Sequence, residues 1–194
     1  MDIKQKNAKV GELESTPLMG DLGRILLTKE EIQSRIEALG REISRDYQGR
    51  ELVLVGILKG SLFFLADLTR EIMVPHQFDL VGAQSYRGTQ PGGKVNITKD
   101  IDLELHGKDV LLIEDVYDSG STLHVILEML KMHKPHSLEI AALLYKKKNR
   151  ERPLPIKYVG FEIDDIFVVG YGLDYKENYR HLKCIGVLHP EVYE

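Results

Sequence analysis

Apolar residues along this chain fall into short solid runs separated by stretches of helical spacing. Ile32, Ile36, Leu39 and Ile43 recur at steps of four, three and four, which is one face of an α-helix. Thr28 with Glu31 three residues on forms a capping box, so this helix starts at Thr28 and reaches about residue 47. Leu52 to Leu58 is an apolar run of strand length, and Leu62 to Met73 reads as an apolar helix, with Lys59-Gly60-Ser61 breaking the two apart. Phe78 to Tyr86 is a further strand, and Val95 to Thr98 alternates like one arm of a hairpin. Val110 to Ile113 reads as a buried strand, after which Leu123, Ile126, Leu127 and Leu130 return to helical spacing. Leu138 to Tyr145 is another buried strand, and Cys184 to Leu188 closes the chain as a short one. Residues 1–24 show little periodicity and read as a loose arm, leaving 25–194 as a single domain.

Strands that alternate with helices predict an α/β fold, a mostly parallel twisted sheet flanked by helices. Such sheets bind ligands outside the carboxyl ends of their strands. Lys59, Glu114, Asp115, Asp118 and Lys146 all fall just past expected strand ends, so the fold should gather them at one edge.

The stretch from Asp109 to His133 carries the most chemistry: strand, two acids (Glu114 and Asp115), the loop Asp118-Ser119-Gly120-Ser121-Thr122, then helix. A loop of small residues at a helix N-terminus presents backbone N–H groups and the positive end of the helix dipole, which suits a phosphate. Ser119, Ser121 and Thr122 add hydroxyl donors, and Gly120 permits a close approach. The acidic pair suits Mg²⁺ or sugar hydroxyls. A ribose 5-phosphate has both halves. The competing reading is an ordinary strand–helix turn whose Asp and Ser residues cap the helix.

Composition removes several function classes. The net charge of −4 gives no support for nucleic-acid binding. No apolar run approaches the roughly 18 residues of a membrane span. The opening MDIKQKNAKV lacks the apolar core of a signal peptide, and Cys184 is the only cysteine, so a cytoplasmic protein is expected. The seven histidines show no metal-site spacing. Gly88, Gly93 and Lys94 match part of a nucleotide-binding P-loop, but Val95 fills the Ser/Thr position and a strand-like stretch follows. The Gly-rich segment from Arg87 to Lys94 reads instead as a mobile lid. Gly170 and Gly172 do not form a dinucleotide fingerprint, because Tyr175 occupies the third glycine position.

Four motifs carry a family resemblance. IEDVYDSGST (residues 113–122) resembles the phosphoribosyl-pyrophosphate (PRPP) motif of type I phosphoribosyltransferases. Ser119 stands where Thr is usual and Tyr117 where an aliphatic residue is commoner. ILKGSLFFLADLTR (57–70) resembles the pyrophosphate loop of purine phosphoribosyltransferases, which implies a cis peptide between Leu58 and Lys59. Ser85-Tyr86 followed by Gly88-Thr89 resembles the start of the flexible catalytic loop of the hypoxanthine-guanine members, although Arg87, Pro91 and Gly92 depart from their bacterial pattern. FEIDDIFVVGYGLDY (161–175) is close to the signature of those members.

The resemblance spans about residues 25–188 and implies the type I phosphoribosyltransferase fold with a small hood. It also implies transfer of phosphoribosyl from PRPP to hypoxanthine or guanine with Mg²⁺. Glu114, Asp115 and the Asp118–Thr122 loop would hold the ribose phosphate, with Asp118 as general base. Lys59, Gly60 and Arg180 would contact pyrophosphate. Phe167 would stack on the purine, Val168 would offer backbone groups, and Lys146, counted back from Phe167 in the run Lys146-Lys147-Lys148, would meet the 6-oxo group. Asp174 would hold metal, with Glu114 and Asp115 nearby. Family members are dimers or tetramers. Two rivals stay open at this stage: a PRPP-sensing regulator that binds nucleic acid, and a transferase for xanthine or a pyrimidine. The acidic charge and the presence of Asp118, Lys146 and Phe167 argue against the first.

Overall fold

The computed structural model describes residues 17–85, 95–148 and 153–193. A 3-10 turn at Pro17–Asp21 leads into β1 (Leu22–Leu27), α1 (Lys29–Asp46), β2 (Leu52–Leu58), α2 (Leu62–Glu71), β3 (His76–Ser85) and β4 (Val95–Lys99). Then come β5 (Asp109–Tyr117), α3 (Ser121–Met132), β6 (Ser137–Lys146), β7 (Tyr158–Ile163), β8 (Ile185–Leu188) and the short α4 (Pro190–Tyr193). The central sheet has the order β4-β3-β2-β5-β6-β7. Only the β3–β4 pairing is antiparallel; the other four pairings are parallel.

The strand runs are apolar throughout because helices cover both faces, yet a period of two persists inside them. Leu52, Leu54, Leu111, Ile113 and Leu143 pack with Ile32, Ile36, Leu39 and Ile43 of α1 and with Phe64, Leu65 and Leu68 of α2. Their neighbours Val53, Val55, Ile57, Val110, Leu112 and Ile140 pack with Leu123, Ile126, Leu127 and Leu130 of α3. At the head of α1 the capping box is complete: Glu31 N–H donates to Thr28 Oγ1 at 3.2 Å, and Thr28 N–H donates to Glu31 Oε2 at 2.8 Å. Further along, Arg35 donates to the carbonyls of Gly160 (2.9 Å) and Val159 (2.6 Å), tying the edge strand β7 to this helix.

β1 and β8 pair antiparallel as a separate two-stranded sheet. Val169, Tyr179, Leu182, Cys184 and Leu188 cluster there with Leu18, Leu22 and Ile25. This is the small hood. The chain is in a strand from Leu22, whereas the sequence pattern carried a loose arm to residue 24; the strand depends on Leu22 meeting Leu188 at the far end of the chain. One further boundary differs from expectation, and one strand was not expected. β5 runs on through Glu114 and Asp115 to Tyr117, because its ladder with β6 continues through Glu114–Ala142 and Tyr117–Tyr145. β7 begins at Tyr158, with Gly160 close against the Leu143 carbonyl of β6.

Strand order reverses between β2 and β5: β3 lies beyond one, β6 and β7 beyond the other. A crevice at the carboxyl ends of β2 and β5 is therefore the expected ligand site. Among the described residues no helix is long and apolar enough to cross a membrane.

Candidate active site

The β5–α3 connection leads into a helix whose N-cap is a glycine. Gly120 has φ +80° and ψ 0°, a left-handed conformation, and serves as N-cap of α3 without any side-chain cap. A Cβ there would lie 3.0 Å from the Tyr117 ring. Ser119 Oγ accepts weakly from Ser121 N–H at 3.4 Å and donates to Ser121 Oγ at 3.3 Å. The Asp118 carboxylate meets two lysines at the end of β6. Lys146 Nζ of β6 donates to its Oδ2 at 3.0 Å, and Lys148 ion-pairs with its Oδ1. Burial of Asp118 opposes its ionisation, but hydrogen bonds from Lys148 and Lys146 outweigh this and hold its pKa below the ordinary Asp range. Of the Asp and Ser residues that could cap this turn, Ser119 makes a long contact to the Ser121 amide and Asp118 pairs with the lysines of β6. Tyr117 has a local explanation: it is buried against the Tyr145 ring (centroids 5.4 Å apart), and its hydroxyl accepts the Leu154 N–H at 2.7 Å, fastening the approach to β7.

The acid pair sits one step deeper. Glu114 Oε2 is out of solvent with no hydrogen-bond partner among the described residues. Burial and the neighbouring Asp115 charge push the Glu114 carboxyl well above its usual range. Burial likewise pushes Asp115 up to about 6, against the opposing effect of the Val116 N–H, which donates to its Oδ1 at 2.8 Å. No group of three or more His, Cys, Asp or Glu among the described residues is arranged to hold a metal alone.

Across the switch point, the Leu58–Lys59 peptide is cis. The next residue, Gly60, lies against Asp115 so closely that a Cβ would fall 1.7 Å from Asp115 Oδ2. The turn Gly170-Tyr171-Gly172 has positive φ at all three residues (99°, 50° and 99°). It brings Gly172 against the Gly60 carbonyl, where a Cβ would lie 2.1 Å away. Just beyond, Arg180 donates to the Gly172 carbonyl at 2.7 Å and pairs with Asp174 Oδ1 at 2.8 Å. Glu177 bridges the two cations, 3.0 Å from Lys59 Nζ and 3.4 Å from Arg180 Nη2. The hydrogen bond from Lys59, helped by the Arg180 charge, lowers the Glu177 pKa.

A third group lies at the ends of β6 and β7. Lys146 is buried and also meets Asp165 Oδ1 at 3.5 Å, whereas Lys147 is exposed and pairs with Glu162 at 3.3 Å. Lys146, then, is turned to Asp118 as Lys148 is, and Lys147 is not. Two residues after Asp165, Phe167 is an exposed large apolar side chain, edge-on to Tyr175 with centroids 5.9 Å apart. Val168 behind it is buried in the core shared with α1 and α2.

Comparison with known proteins decides the family. The phosphoribosyl transferase domain model matches residues 25–176. A hypoxanthine-guanine phosphoribosyltransferase of Staphylococcus aureus (strain Mu50) is 49% identical over 174 residues, 89% of this chain and 97% of that protein. The chain belongs to the hypoxanthine(-guanine) phosphoribosyltransferases. A hypoxanthine phosphoribosyltransferase of Salmonella typhimurium is 48% identical over 165 residues, 84% of this chain and 93% of that one. A crystal structure of a Staphylococcus aureus hypoxanthine phosphoribosyltransferase superposes with a TM-score of 0.89 at 46% identity, covering 93% of this chain and 99% of that one. The chain is thus a transferase of the type I phosphoribosyltransferase fold.

In this transferase, Lys59, Gly60, Asp115, Asp174 and Arg180 form one group around the switch point. Asp118, Lys146 and Asp165 form a second group, and Phe167 follows Asp165 by two residues along the chain. Ser85 ends β3, while Tyr86 and the Arg87–Lys94 segment lie outside the described residues. Sequence reasoning missed Glu177, Asp165 and Lys148. Strand alternation beyond Lys146 could have found Lys148, which falls on the same side two residues on. Glu177 and Asp165 carry no local signal.

Proposed function

We propose that the protein transfers the 5-phosphoribosyl group of PRPP to hypoxanthine or guanine, giving the nucleotide and pyrophosphate, in purine salvage. It would work in the cytoplasm as a homodimer or homotetramer, as the family resemblance implies. The observation that carries the reading is the N-terminus of α3: its N-cap is a glycine, only a long contact from Ser119 Oγ reaches its first amide, and the Asp118 carboxylate faces the lysines of β6. Its amides and the hydroxyls of Ser119, Ser121 and Thr122 take the 5-phosphate. Glu114 and Asp115 face the ribose hydroxyls. Lys59, Gly60 and Arg180 take the pyrophosphate, which displaces Glu177 from the two cations. Lys146 meets the 6-oxo group, Phe167 stacks on the ring, and the Val168 backbone meets the base edge. Ser85 and Tyr86 belong to a covering loop.

The acidic side of this site fits Mg²⁺. A buried, unpartnered Glu114 oxygen and carboxyls raised by burial are what a cation would relieve. Asp174, with Glu114 and Asp115 nearby, would hold the ion together with water and substrate oxygens. When bound, the ion adds positive charge that eases pyrophosphate departure.

In the transfer, the bond from C1′ to pyrophosphate oxygen breaks, its electron pair leaving with pyrophosphate, and purine nitrogen 9 bonds to C1′. Nearby carboxylates stabilise the oxocarbenium-like ribose. As nitrogen 9 gives up its electron pair, the proton on nitrogen 7 becomes acidic. Asp118 takes it, and a carboxylate of low pKa suffices as base. The test is initial rates with PRPP and Mg²⁺ against hypoxanthine, guanine, xanthine, adenine and uracil. Turnover of hypoxanthine or guanine, lost on chelation, is expected. Turnover of only xanthine or uracil moves the protein to another base, and PRPP binding without turnover of any base leaves a regulator.

A further inference from the structure

We propose that Lys148 is a positioning residue for Asp118: it keeps the carboxylate ionised and fixed when Lys146 leaves it for the oxo group of the purine. The proposal rests on the reading of Asp118 as base. Its geometry comes from the end of β6. Lys147 N–H donates to the Ile163 carbonyl at 2.8 Å, so the extended ladder with β7 continues one residue past Lys146. Alternation then puts Lys146 and Lys148 on one side and Lys147 on the other. The ion pairs follow that parity, Lys147 going to Glu162 and both its neighbours to Asp118.

The two lysines divide the carboxylate between them. Lys146 holds Oδ2 at 3.0 Å, and Lys148 pairs with Oδ1. Asp165 backs both, 3.5 Å from Lys146 Nζ and 3.5 Å from Lys148 Nζ. Among the described residues, the charged groups facing Asp118 are these two lysines, with Asp165 across them. His124 lies behind the loop, its Nδ1 2.8 Å from the Gly120 carbonyl. When the purine takes Lys146, Oδ2 is vacated and becomes the atom that accepts the nitrogen-7 proton. Without Lys148, the same move would take both lysine contacts from a half-exposed carboxylate at the moment it must act. With Lys148 on Oδ1, Asp118 stays ionised and aimed. Asp165 keeps the pair of lysines from carrying two uncompensated charges.

The test compares Lys148→Met, Lys148→Arg and the control Lys147→Met with the unmodified enzyme. In ligand-free protein labelled at Asp with carbon-13, the carboxyl resonance of Asp118, assigned with Asp118→Asn, should titrate at higher pH in Lys148→Met. It should return toward the unmodified value in Lys148→Arg and stay there in Lys147→Met. The acid limb of kcat/KM for the purine should move the same way, with a plateau loss well short of the ~10²–10⁴-fold that removal of a general base costs. Asp118 titrating at the same pH in Lys148→Met, or rising equally in Lys147→Met, would overturn the proposal. The carbon-13 titration needs no turnover, so it stays decisive even if the reading of the reaction fails. In that case the rate assay on unmodified enzyme is what fails.

Discussion

Adding one methyl group at Gly60 tests whether the two sides of the switch point share a single fixed geometry. In the structure, a Cβ at Gly60 would lie 1.7 Å from Asp115 Oδ2 and 2.5 Å from its Cγ. Ordinary contact begins near 3.4 Å, so the two groups must separate by about 1.7 Å. Asp115 cannot swing away without breaking the bond from Val116 N–H to its Oδ1. The Lys59–Gly60 backbone is confined in turn by Gly172, packed against the Gly60 carbonyl. Overpacking of this kind costs about 1–3 kcal/mol, which for a domain of this size lowers Tm by about 2–4 °C per kcal/mol. The catalytic loss should be larger, because Lys59 rides on the same turn. A displacement of order 1 Å in a positioning group costs about 10²-fold in rate. The assay is kcat/KM for PRPP beside a thermal melt. Gly60→Ala should lose about 10²-fold with Tm down by a few degrees, whereas Gly20→Ala, with nothing within 4 Å of the added carbon, should match the unmodified enzyme. If Gly60→Ala kept kcat/KM within threefold, the claim that Gly60 and Asp115 are mutually fixed would be wrong.

Other substitutions separate the remaining parts. Asp118→Asn should cut kcat by about 10²–10⁴-fold while PRPP still binds by calorimetry; unchanged turnover would remove Asp118 from the mechanism. Phe167 is 41% exposed, so Phe167→Ala should leave Tm nearly unchanged and weaken base binding by about 1–3 kcal/mol, the usual worth of stacking a base on an aromatic ring; an unaltered KM for the base would count against stacking. Burial holds Asp115 at about 6 against an ordinary 3.8, so the folded state binds that proton more tightly than the unfolded one. The associated stability is present below about pH 4 and lost as pH rises through about 6, roughly 3 kcal/mol in ligand-free protein. Asp115→Asn should flatten that part of the Tm-against-pH curve, and an unflattened curve would contradict the burial argument. Arg35→Ala removes two hydrogen bonds from a charged donor to β7 and should cost about 2 kcal/mol, read as a Tm loss of several degrees without change in KM; a loss below one degree would refute it.

What could be read from the sequence was local. The α1 capping box, the apolar runs of β2, β5 and β6, and the helical spacing of α3 each depend on residues within a turn or two of one another, and all form there, β5 running on past its apolar run to Tyr117. The hood strand β1 was not legible, since Leu22 becomes a strand residue only by pairing with Leu188. The same holds for Glu177. Its place between Lys59 and Arg180 exists because the Gly170–Gly172 turn folds onto Gly60, and the sequence records no more of this than two glycines.

The lysine run at the end of β6 shows where a local rule would have gone further. Counting back from Phe167 pointed to Lys146 but left Lys147 one step away, and charge alone does not separate three adjacent lysines. Strand parity does. Tyr145 pairs with Glu162 and Lys146 with Ile163 in a parallel ladder, and the Lys147 N–H bond to the Ile163 carbonyl carries that ladder on. A period of two then divides the run into Lys146 and Lys148 on the side of Asp118, and Lys147 on the side of Glu162. Interchanging neighbours is therefore not conservative here. Lys147→Glu puts a second acid beside exposed Glu162 and should cost no more than about 1 kcal/mol at the surface. Lys146→Glu puts a carboxylate beside both Asp118 and Asp165 in a buried position, where an unpaired charge costs several kcal/mol. The two variants differ by one step along the chain, yet only the second should abolish turnover.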